Sequence, residues 1–343
     1  MRNRLALAPL TNLQSNDDGT LSADELTFLR LRAESGFGMV MTCGATVHPL
    51  GKGYPRQLGI HSDIHLPGLE QLAAILRRAG ALSAVQIMHS GWRSKRELIG
   101  QDPVGVCDDT DAGVRGLSTG EVQQVVEDFI LAGLRAEAAG FDGVEVHGAH
   151  GYLLCEFLDT QRNRRTDCYG GSAEGRARII WEILSGLRAR CRPDFQIGVR
   201  LSPERYGIDF GEARSLVHEL MHSGMADYID LSCWDTFKEP EDARFKGRAI
   251  MDWFTELPRG NTRLGVAGKL TSGPSVVECL RRGADFVLIG RGAILHHDFP
   301  RRLSANPSFT SVSLPVSRAH LHAEGLGEHF IDYMATWEGF VAD

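Results

Sequence analysis

Three side chains that could act together on a carbonyl compound lie within six residues of one another: His147, His150 and Tyr152. Two imidazoles three residues apart can converge as hydrogen-bond donors on one carbonyl oxygen, where they would stabilise developing negative charge. The phenol of Tyr152, whose ordinary pKa is about 10, is suited to protonate a carbanion-like carbon as a general acid. The pattern therefore predicts a site that polarises a carbonyl group and protonates carbon.

Two simpler interpretations of these residues stay open. The histidines could be loop residues whose hydrogen bonds are satisfied locally. They could also belong to a zinc site, which would require a third and a fourth ligand. Cys155 and Glu156 are the nearby candidates for those ligands.

The elements that would position these residues are short apolar runs alternating with helix-like segments. The runs are too short for helices and have no alternating polar face, so we predict fully buried parallel strands. They are Leu5–Ala8, Met39–Thr42, Ala84–Ile87, Gly143–His147, Ile197–Leu201, Tyr228–Ser232, Leu264–Ala267 and Phe286–Gly290. The helix-like segments include Ala23–Ser35, Pro67–Ala79, Thr119–Ala139, Ala173–Ala189, Phe210–Ser223 and Pro274–Arg282. Ser118 and Glu121 have the spacing of a capping box before the third of these segments.

Eight strands in β–α alternation predict an α/β fold, a closed TIM (β/α)8 barrel. The alternative is an open doubly wound sheet, but the first β–α turn lacks the G-x-G-x-x-G of dinucleotide-binding sheets. Long segments after two strands, Met88–Leu117 and Gly148–Ser172, mark the barrel end where active sites form. We expect one domain over residues 1–343. Because Leu5 already lies in the first strand, we expect part of the N-terminal barrel floor to be open or missing.

Bulk composition argues against several classes of protein. The formal net charge is −7 and no block rich in Lys and Arg occurs, so nucleic acid and anionic membranes are poor candidate partners. Seven scattered cysteines without a C-x-x-C pair argue against a disulfide framework, a zinc ribbon or an iron–sulfur site. We recognise no apolar run long enough to span a membrane and no secretory leader. We therefore expect a cytoplasmic enzyme acting on a small molecule.

The chain around the two histidines carries an extended motif. From His147 it reads H-G-A-H-G-Y-L-L-C-E-F-L, and it continues as N-R-R-T-D-C-Y-G-G-S to Ser172. Further motifs are N-R-L-A-L-A-P-L-T at Asn3–Thr11, Q-I-M-H-S-G at Gln86–Gly91, V-R-L-S at Val199–Ser202 and I-G-R-G at Ile289–Gly292. In these motifs and their order the chain resembles the old yellow enzyme family of NADH:flavin oxidoreductases, in its short single-domain form.

The resemblance implies an FMN across the barrel mouth, reduced by NADH or NADPH. It places the flavin ring against Pro9, Leu10, Thr11, Ala45, Gln86 and Arg200, and the phosphate on Gly268, Gly290 and Arg291. Ala45 would follow the second strand and allow close approach to the ring. Arg200 would face flavin N1 and O2, because a buried cation needs an anionic or polar partner and reduced flavin supplies one. A structural ion pair is the alternative for Arg200.

The resemblance also implies roles for the first three residues. His147 and His150 would bind the carbonyl oxygen of the substrate, and Tyr152 would donate the proton. The implied reaction is a ping-pong reduction of the C=C bond of α,β-unsaturated carbonyl or nitro compounds, an ene-reductase activity. Tyr54, Trp92 and Trp234 are candidates for the pocket wall, with ordinary packing as an equal alternative.

Some features separate this chain from other members or leave rival functions open. Leu10 stands where many relatives have Met, and the His/His pair resembles a bacterial subgroup, whereas other members use His/Asn. The rivals are a flavin-dependent amine demethylase or desaturase, a silent flavin-storage or sensor protein, and a flavin-free aldolase or isomerase with Lys269 at a strand end. Aromatic residues near the C-terminus could dock on the barrel or on a neighbouring subunit of a homo-oligomer. They are Phe330, Tyr333, Trp337 and Phe340.

Overall fold

The computed structural model describes residues 1–342 of the chain, in which eight parallel strands close a barrel. Around the barrel they are β1 (Leu5–Leu7), β2 (Met39–Thr46), β3 (Leu82–Met88), β6 (Gly143–Gly148), β7 (Gln196–Leu201), β8 (Tyr228–Ser232), β9 (Arg263–Ala267) and β10 (Phe286–Ile289), and β10 pairs with β1. Two pairs of very short strands lie outside the barrel. They are β4 (Val104–Gly105) with β5 (Arg115–Gly116), and β11 (Val316–Ser317) with β12 (Val341–Ala342).

Helices separate the strands, and five of the six longest begin at a residue whose side chain accepts a backbone N–H of the first turn. The helices are α1 (Ala23–Glu34), α2 (Leu66–Arg78), α3 (Arg96–Ile99), α4 (Thr119–Ala138), α5 (Leu153–Leu158), α6 (Ala173–Arg190), α7 (Phe210–Ser223), α8 (Asp252–Thr255), α9 (Gly273–Arg281), α10 (Arg291–Leu295), α11 (Phe299–Ala305), α12 (Arg318–Ala323) and α13 (Glu328–Ala335). The predicted capping box is present: Ser118 Oγ accepts from Glu121 N, and Glu121 Oε2 accepts from Ser118 N. None of these helices is both long enough and apolar enough to cross a bilayer.

The predicted barrel is confirmed, and the predicted strands and helices are present with ends shifted by a few residues. The largest shift is in β2, which was predicted to end at Thr42 and runs to Thr46. Its pairing with β3 changes register between Met41 and Gly44, and such a bulge changes which side chains face inwards. Helix α5 lies in a segment that was expected to be loop.

The N-terminal end of the barrel, which we call the floor, pairs three partly exposed acids with strand backbone. Asp142, Asp227 and Asp285 directly precede β6, β8 and β10. Each accepts a backbone N–H from the strand before it around the barrel, at 2.8, 2.7 and 2.9 Å. Arginines complete two of these pairs, with Arg188 on Asp227 and Arg259 on Asp285.

The C-terminal end of the barrel, which we call the mouth, is partly covered by α13. The ring of Phe330 packs edge-on against Phe28 of α1 at a centroid distance of 5.4 Å, and Gly327 N donates to Gln14 Oε1 at 2.8 Å. Tyr333 and Trp337 consequently reach the mouth. The aromatic residues near the C-terminus therefore dock on their own barrel.

Candidate active site at the barrel mouth

Two adjoining cavities lie at the mouth, with volumes of about 170 and 340 Å³, which we call the first and the second cavity. They share Pro9, Leu10, Arg200 and Trp337, so they form one elongated depression across the strand ends. Of the predicted site residues, the first cavity brings together Pro9, Leu10, Thr11, Tyr54, Gln86, His147, His150, Tyr152 and Arg200. The second brings together Trp234, Gly268, Gly290 and Arg291.

His147 and His150 converge at the end of β6, with ring centroids 5.0 Å apart. Burial is the largest cause that lowers the pKa of both imidazoles well below their ordinary value, and the cation Arg200 adds to it. Both rings are therefore neutral at pH 7, and each keeps one N–H for donation. Nδ1 of His147 is buried without a hydrogen-bond partner among residues 1–342, whereas Nε2 of His150 lies 2.8 Å from Ser232 Oγ.

The turn that carries His150 has a left-handed backbone. The φ angles of His150 and Gly151 are 65° and 70°, and Ser202 Oγ accepts from the backbone N–H of His150 at 3.1 Å. Non-glycine residues adopt this region at a cost and mostly where surrounding structure holds them there. The turn brings Tyr152 back to the cavity, with its ring centroid 5.3 Å from that of His147.

Tyr152 is protonated in this setting. Burial is the largest cause that raises the pKa of its phenol, and the nearby cation Arg93 opposes the shift in part. Two neutral N–H donors and one phenolic proton donor therefore face the same small cavity. This combination can hold a carbonyl oxygen and protonate an adjacent carbon.

The base of the first cavity is a buried polar network inside the barrel. Arg200 lies beside Asp230, with 3.0 Å between Nε and Oδ2, although this pair lacks the angle of a hydrogen bond. Gln86 Nε2 donates to Glu145 Oε1 at 2.8 Å. Burial raises the pKa of both carboxyls, and the charge of Arg200 opposes that rise. One cation thus faces two buried acids, which favours a proton being held on Glu145, the acid without a cationic contact.

Asp230 and Glu145 were not predicted as site residues. Both are single acids within otherwise apolar strands, in Y-I-D-L-S and V-E-V-H, and that interruption was the available signal. Cross-strand pairing explains their position, because Arg200 is the direct neighbour of His147 on one side and of Asp230 on the other. The ion pair considered as an alternative for Arg200 exists, and the same side chain also lines both cavities.

The second cavity is built from the ends of β9 and β10. Gly268 has a φ of 156°, and a Cβ there would lie 2.8 Å from Thr236 Oγ1, so only glycine allows this close approach. Gly290 directly precedes α10, and Arg291 is its first residue. Backbone N–H groups beside an arginine suit an anion such as a phosphate.

Three predicted positions differ from expectation. Ala45 lies inside β2 and packs outwards in the core, while Gly44 lines the cavity, because the β2 bulge shifts the inward-facing position. Trp234, expected near the acceptor, lies in the second cavity and is 61% exposed, because its left-handed backbone (φ 61°) directs the chain towards Gly268. Trp92 lies outside both cavities, held by Nε1 donation to Gly151 O at 2.9 Å.

Several lining residues were not predicted at all. The first cavity is also lined by Met88, Ile294, Tyr333, Met334 and Trp337, and the second by Ser232. The α13 residues come from a segment whose aromatic content was noticed but whose place on the barrel could not be read from sequence. Cys155 and Glu156 do not join the histidine pair in any group of three potential metal ligands within residues 1–342.

Comparisons with known proteins place this geometry in context. The sequence model of the NADH:flavin oxidoreductase / NADH oxidase family matches residues 1–308. The chain is 37% identical over 302 residues to the probable NADH-dependent flavin oxidoreductase YqiG of Bacillus subtilis, covering 85% of this chain and 81% of that protein. It is 31% identical to an NADPH dehydrogenase of Halalkalibacterium halodurans, covering 88% and 89%. A solved structure of morphinone reductase superimposes with a TM-score of 0.75 at 26% identity, covering 93% and 89%.

Proposed function

The chain belongs to the NADH:flavin oxidoreductase / NADH oxidase family and is an NAD(P)H-dependent flavin oxidoreductase, and we propose that it binds FMN and reduces the C=C bond of α,β-unsaturated carbonyl or nitro compounds. The observation that carries the proposal is the group of two neutral imidazoles and one protonated phenol facing the first cavity.

The chemistry of the two cavities supports FMN. In the first cavity Gln86 and Arg200 present a hydrogen-bonding amide and a cation, which suit the polar edge of a flavin ring. Because Glu145 already accepts from Gln86 Nε2, the amide oxygen of Gln86 is left to accept an N–H from the ring. Gly268, Gly290 and Arg291 would hold the phosphate. Bound FMN would supply the hydride that the β-carbon of the acceptor receives, and NADH or NADPH would restore it.

The residues of this chain would then divide the remaining work. His147 and His150 would donate to the carbonyl or nitro oxygen of the acceptor, so that negative charge can develop there as the β-carbon receives hydride. Tyr152 would donate its proton to the α-carbon, and water at the mouth would restore that proton. The net change is addition of two hydrogens across the C=C bond.

Anaerobic stopped-flow spectroscopy tests this proposal. The protein reconstituted with FMN is reduced by NADH or NADPH and then mixed with 2-cyclohexenone. We expect the flavin absorbance to return as cyclohexanone forms. If the enone fails to oxidise the reduced flavin, while a secondary amine reduces the oxidised flavin in a separate experiment, an amine demethylase would be favoured instead. Failure to bind FMN would favour a flavin-free barrel enzyme.

A binding measurement tests the role of His147 separately. Phenolates such as that of 4-hydroxybenzaldehyde mimic the enolate, and titration of the oxidised flavin spectrum reports their binding. His147→Ala should weaken this binding about 10- to 100-fold, because a hydrogen bond to a charged group is lost. His222→Ala, at an exposed position on α7, is the matched control. Unchanged affinity in His147→Ala would contradict the assignment.

A further inference from the structure

One arginine beside Tyr152 has no ion-pair partner among residues 1–342. Arg93 ends a short turn, Gly91–Arg93, that follows β3, and its side chain is exposed. Other arginines around this part of the mouth form ion pairs, Arg162 with Asp109 at 3.2 Å and Arg96 with Asp102 at 2.8 Å. Within residues 1–342 Arg93 forms neither an ion pair nor a side-chain hydrogen bond, and its guanidinium lies over the rings of Trp92, Tyr152 and Tyr206. The acids Asp109, Glu156 and Asp159 line the same cavity as Arg93 but form no ion pair with it.

The guanidinium of Arg93 is placed directly beside the proton donor. Its carbon lies 5.7 Å from the ring centroid of Tyr152 and 5.7 Å from that of Tyr206. A Cβ on Gly151 would lie 3.2 Å from Arg93 Nη2, so the glycine between His150 and Tyr152 leaves the space that the guanidinium occupies. The cation thus lines a neighbouring cavity, which meets the first cavity at the consecutive residues Gly151 and Tyr152.

The opposite wall of this arrangement is held in an unfavourable backbone conformation. Arg205, Tyr206 and Gly207 have consecutive φ angles of 69°, 53° and 73°. Two of these residues carry side chains, and such residues persist in this region only where the surrounding structure fixes them, often beside a ligand site. The result is that the Tyr206 ring is held against Arg93 and Gly151. The rings of Trp92, Tyr152 and Tyr206 position the guanidinium without neutralising it.

A guanidinium presents a planar fork of N–H donors that matches a carboxylate in a bidentate contact. The donors assigned to the acceptor in the first cavity, the two histidines and Tyr152, are neutral and suit an uncharged oxygen. An acceptor that carries both kinds of group would therefore contact these donors and the guanidinium at once. An uncharged acceptor would leave the cation to solvent.

We propose that Arg93 is a specificity-determining residue and that the preferred acceptor is an anionic one, a conjugated carbonyl compound carrying a carboxylate a few bonds from its carbonyl group. The proposal rests on the proposed function, since it assumes that the histidine pair binds the carbonyl oxygen. In this arrangement the carboxylate lies against Arg93 while the carbonyl oxygen accepts from His147 and His150. The contact selects the substrate and aligns its α-carbon with Tyr152.

Equilibrium binding to the oxidised, FMN-loaded protein tests the proposal without turnover. The probes are 3- and 4-hydroxybenzoate, each compared with its methyl ester, so that every pair differs mainly in one negative charge. We expect at least one acid to lose about 10- to 100-fold in affinity relative to its ester in Arg93→Met, because a charge-assisted contact disappears. Arg93→Lys should keep part of the preference, and added salt should weaken the acid more than the ester.

Arg162→Met is the matched control, because Arg162 lies 4.1 Å from the ring centroid of the neighbouring Trp92 but is already paired with Asp109. It should leave the acid-to-ester ratio within about threefold of the wild type. Any effect of Arg93 on Tyr152 changes the affinity for the acid and for its ester alike, so it cancels in the ratio of the two affinities.

Two results would overturn the proposal. One is an acid-to-ester ratio in Arg93→Met that stays within about threefold of the wild type for both isomers. The other is a raised KM for NADH or NADPH with that ratio unchanged, which would assign Arg93 to the phosphates of the coenzyme. Oxidation of the reduced wild-type flavin by 2-cyclohexenone tests the ene-reductase activity separately. If this oxidation occurs but the acid-to-ester ratio is the same in Arg93→Met and in the wild type, the ene-reductase assignment stands and the anion site is ruled out.

Discussion

At the floor of the barrel, three partly exposed aspartates accept backbone N–H groups from neighbouring strands, whereas at the mouth several fully buried polar atoms have no partner among residues 1–342. The floor acids Asp227 and Asp285 are also paired with arginines. At the mouth, Nδ1 of His147, Oε2 of Glu145 and both carboxylate oxygens of Asp230 make no hydrogen bond within the described part of the chain. Unpaired buried polar atoms are uncommon in proteins and need a specific reason.

The difference indicates that the floor of the barrel serves stability and the mouth serves ligand binding. Satisfied polar groups at the floor fix the strand ends and contribute stability. Unsatisfied groups at the mouth lower stability and become useful only when a ligand completes them, as expected where barrel active sites lie. Substitutions at the two ends should therefore separate into losses of activity and losses of folding free energy.

The largest expected effect is on chemistry at the mouth. Tyr152→Phe should slow oxidation of reduced flavin by an enone about 10²- to 10⁴-fold, because the general acid is removed. Reduction by NADH or NADPH should change by less than about threefold, and the denaturant midpoint should not fall. Stopped-flow traces of the two half-reactions measure this difference. Tyr206→Phe, a second phenol at the mouth, is the control, and equal slowing of both half-reactions by Tyr152→Phe would contradict the comparison.

A pH-dependent stability effect should come next. Burial raises the pKa of Glu156 to about 8, above that of an unfolded glutamate. The folded state then holds the extra proton, so this group's stabilisation is complete below about pH 4.5 and is lost as pH rises through about 8. Glu156→Gln should gain stability relative to the wild type by on the order of 2–4 kcal/mol between pH 5 and 9.

Urea unfolding at several pH values measures this gain. Glu70→Gln, at an exposed position on α2, is the control. A constant difference between Glu156→Gln and the wild type across pH 5–9 would show that the carboxyl is not held protonated. The mouth would then resemble the floor in this respect.

The smallest effect is expected at the floor. Asp285→Asn weakens the contacts with Arg259 and with Leu264 N, so the free energy of unfolding should fall by about 1–3 kcal/mol. FMN affinity and both half-reactions of the folded protein should be unchanged. Asp194→Asn, an exposed position whose side chain is 82% accessible, controls for the loss of charge. A changed rate of either half-reaction in folded Asp285→Asn would contradict the assignment of stability to the floor and of activity to the mouth.

The sequence predicted best what depends on local pattern. The strand Tyr228–Ser232 and the helix Phe210–Ser223 have the predicted bounds, because apolar runs and caps are properties of neighbouring residues. His147, His150 and Tyr152 were found together because one turn carries them all. Gly44 rather than Ala45 faces the cavity because β2 has a bulge in its pairing with β3. The sequence of β2 alone does not indicate this bulge.

Contacts between distant segments were the part that could not be predicted. The pairing of Arg200 with Asp230 requires knowing which strands are neighbours and in what register. The arrival of Tyr333 and Trp337 at the mouth requires docking of α13 on α1 across about 300 residues of chain. Trp234 was misplaced because one left-handed residue redirects its loop. Each case depends on tertiary geometry rather than on composition.

The left-handed backbone at His150 also restricts what mutation can do at this position. Asn, Asp and His are the side-chain-bearing residues enriched in that region, whereas most others would add roughly 1–2 kcal/mol of backbone strain. The backbone conformation therefore limits which residues position 150 can accept, independently of their effect on catalysis. The residues that it accepts at low cost are mostly hydrogen-bonding ones. Over evolutionary time, the backbone alone would bias drift at position 150 towards histidine, asparagine and aspartate, and the first two of these can still donate to a substrate oxygen.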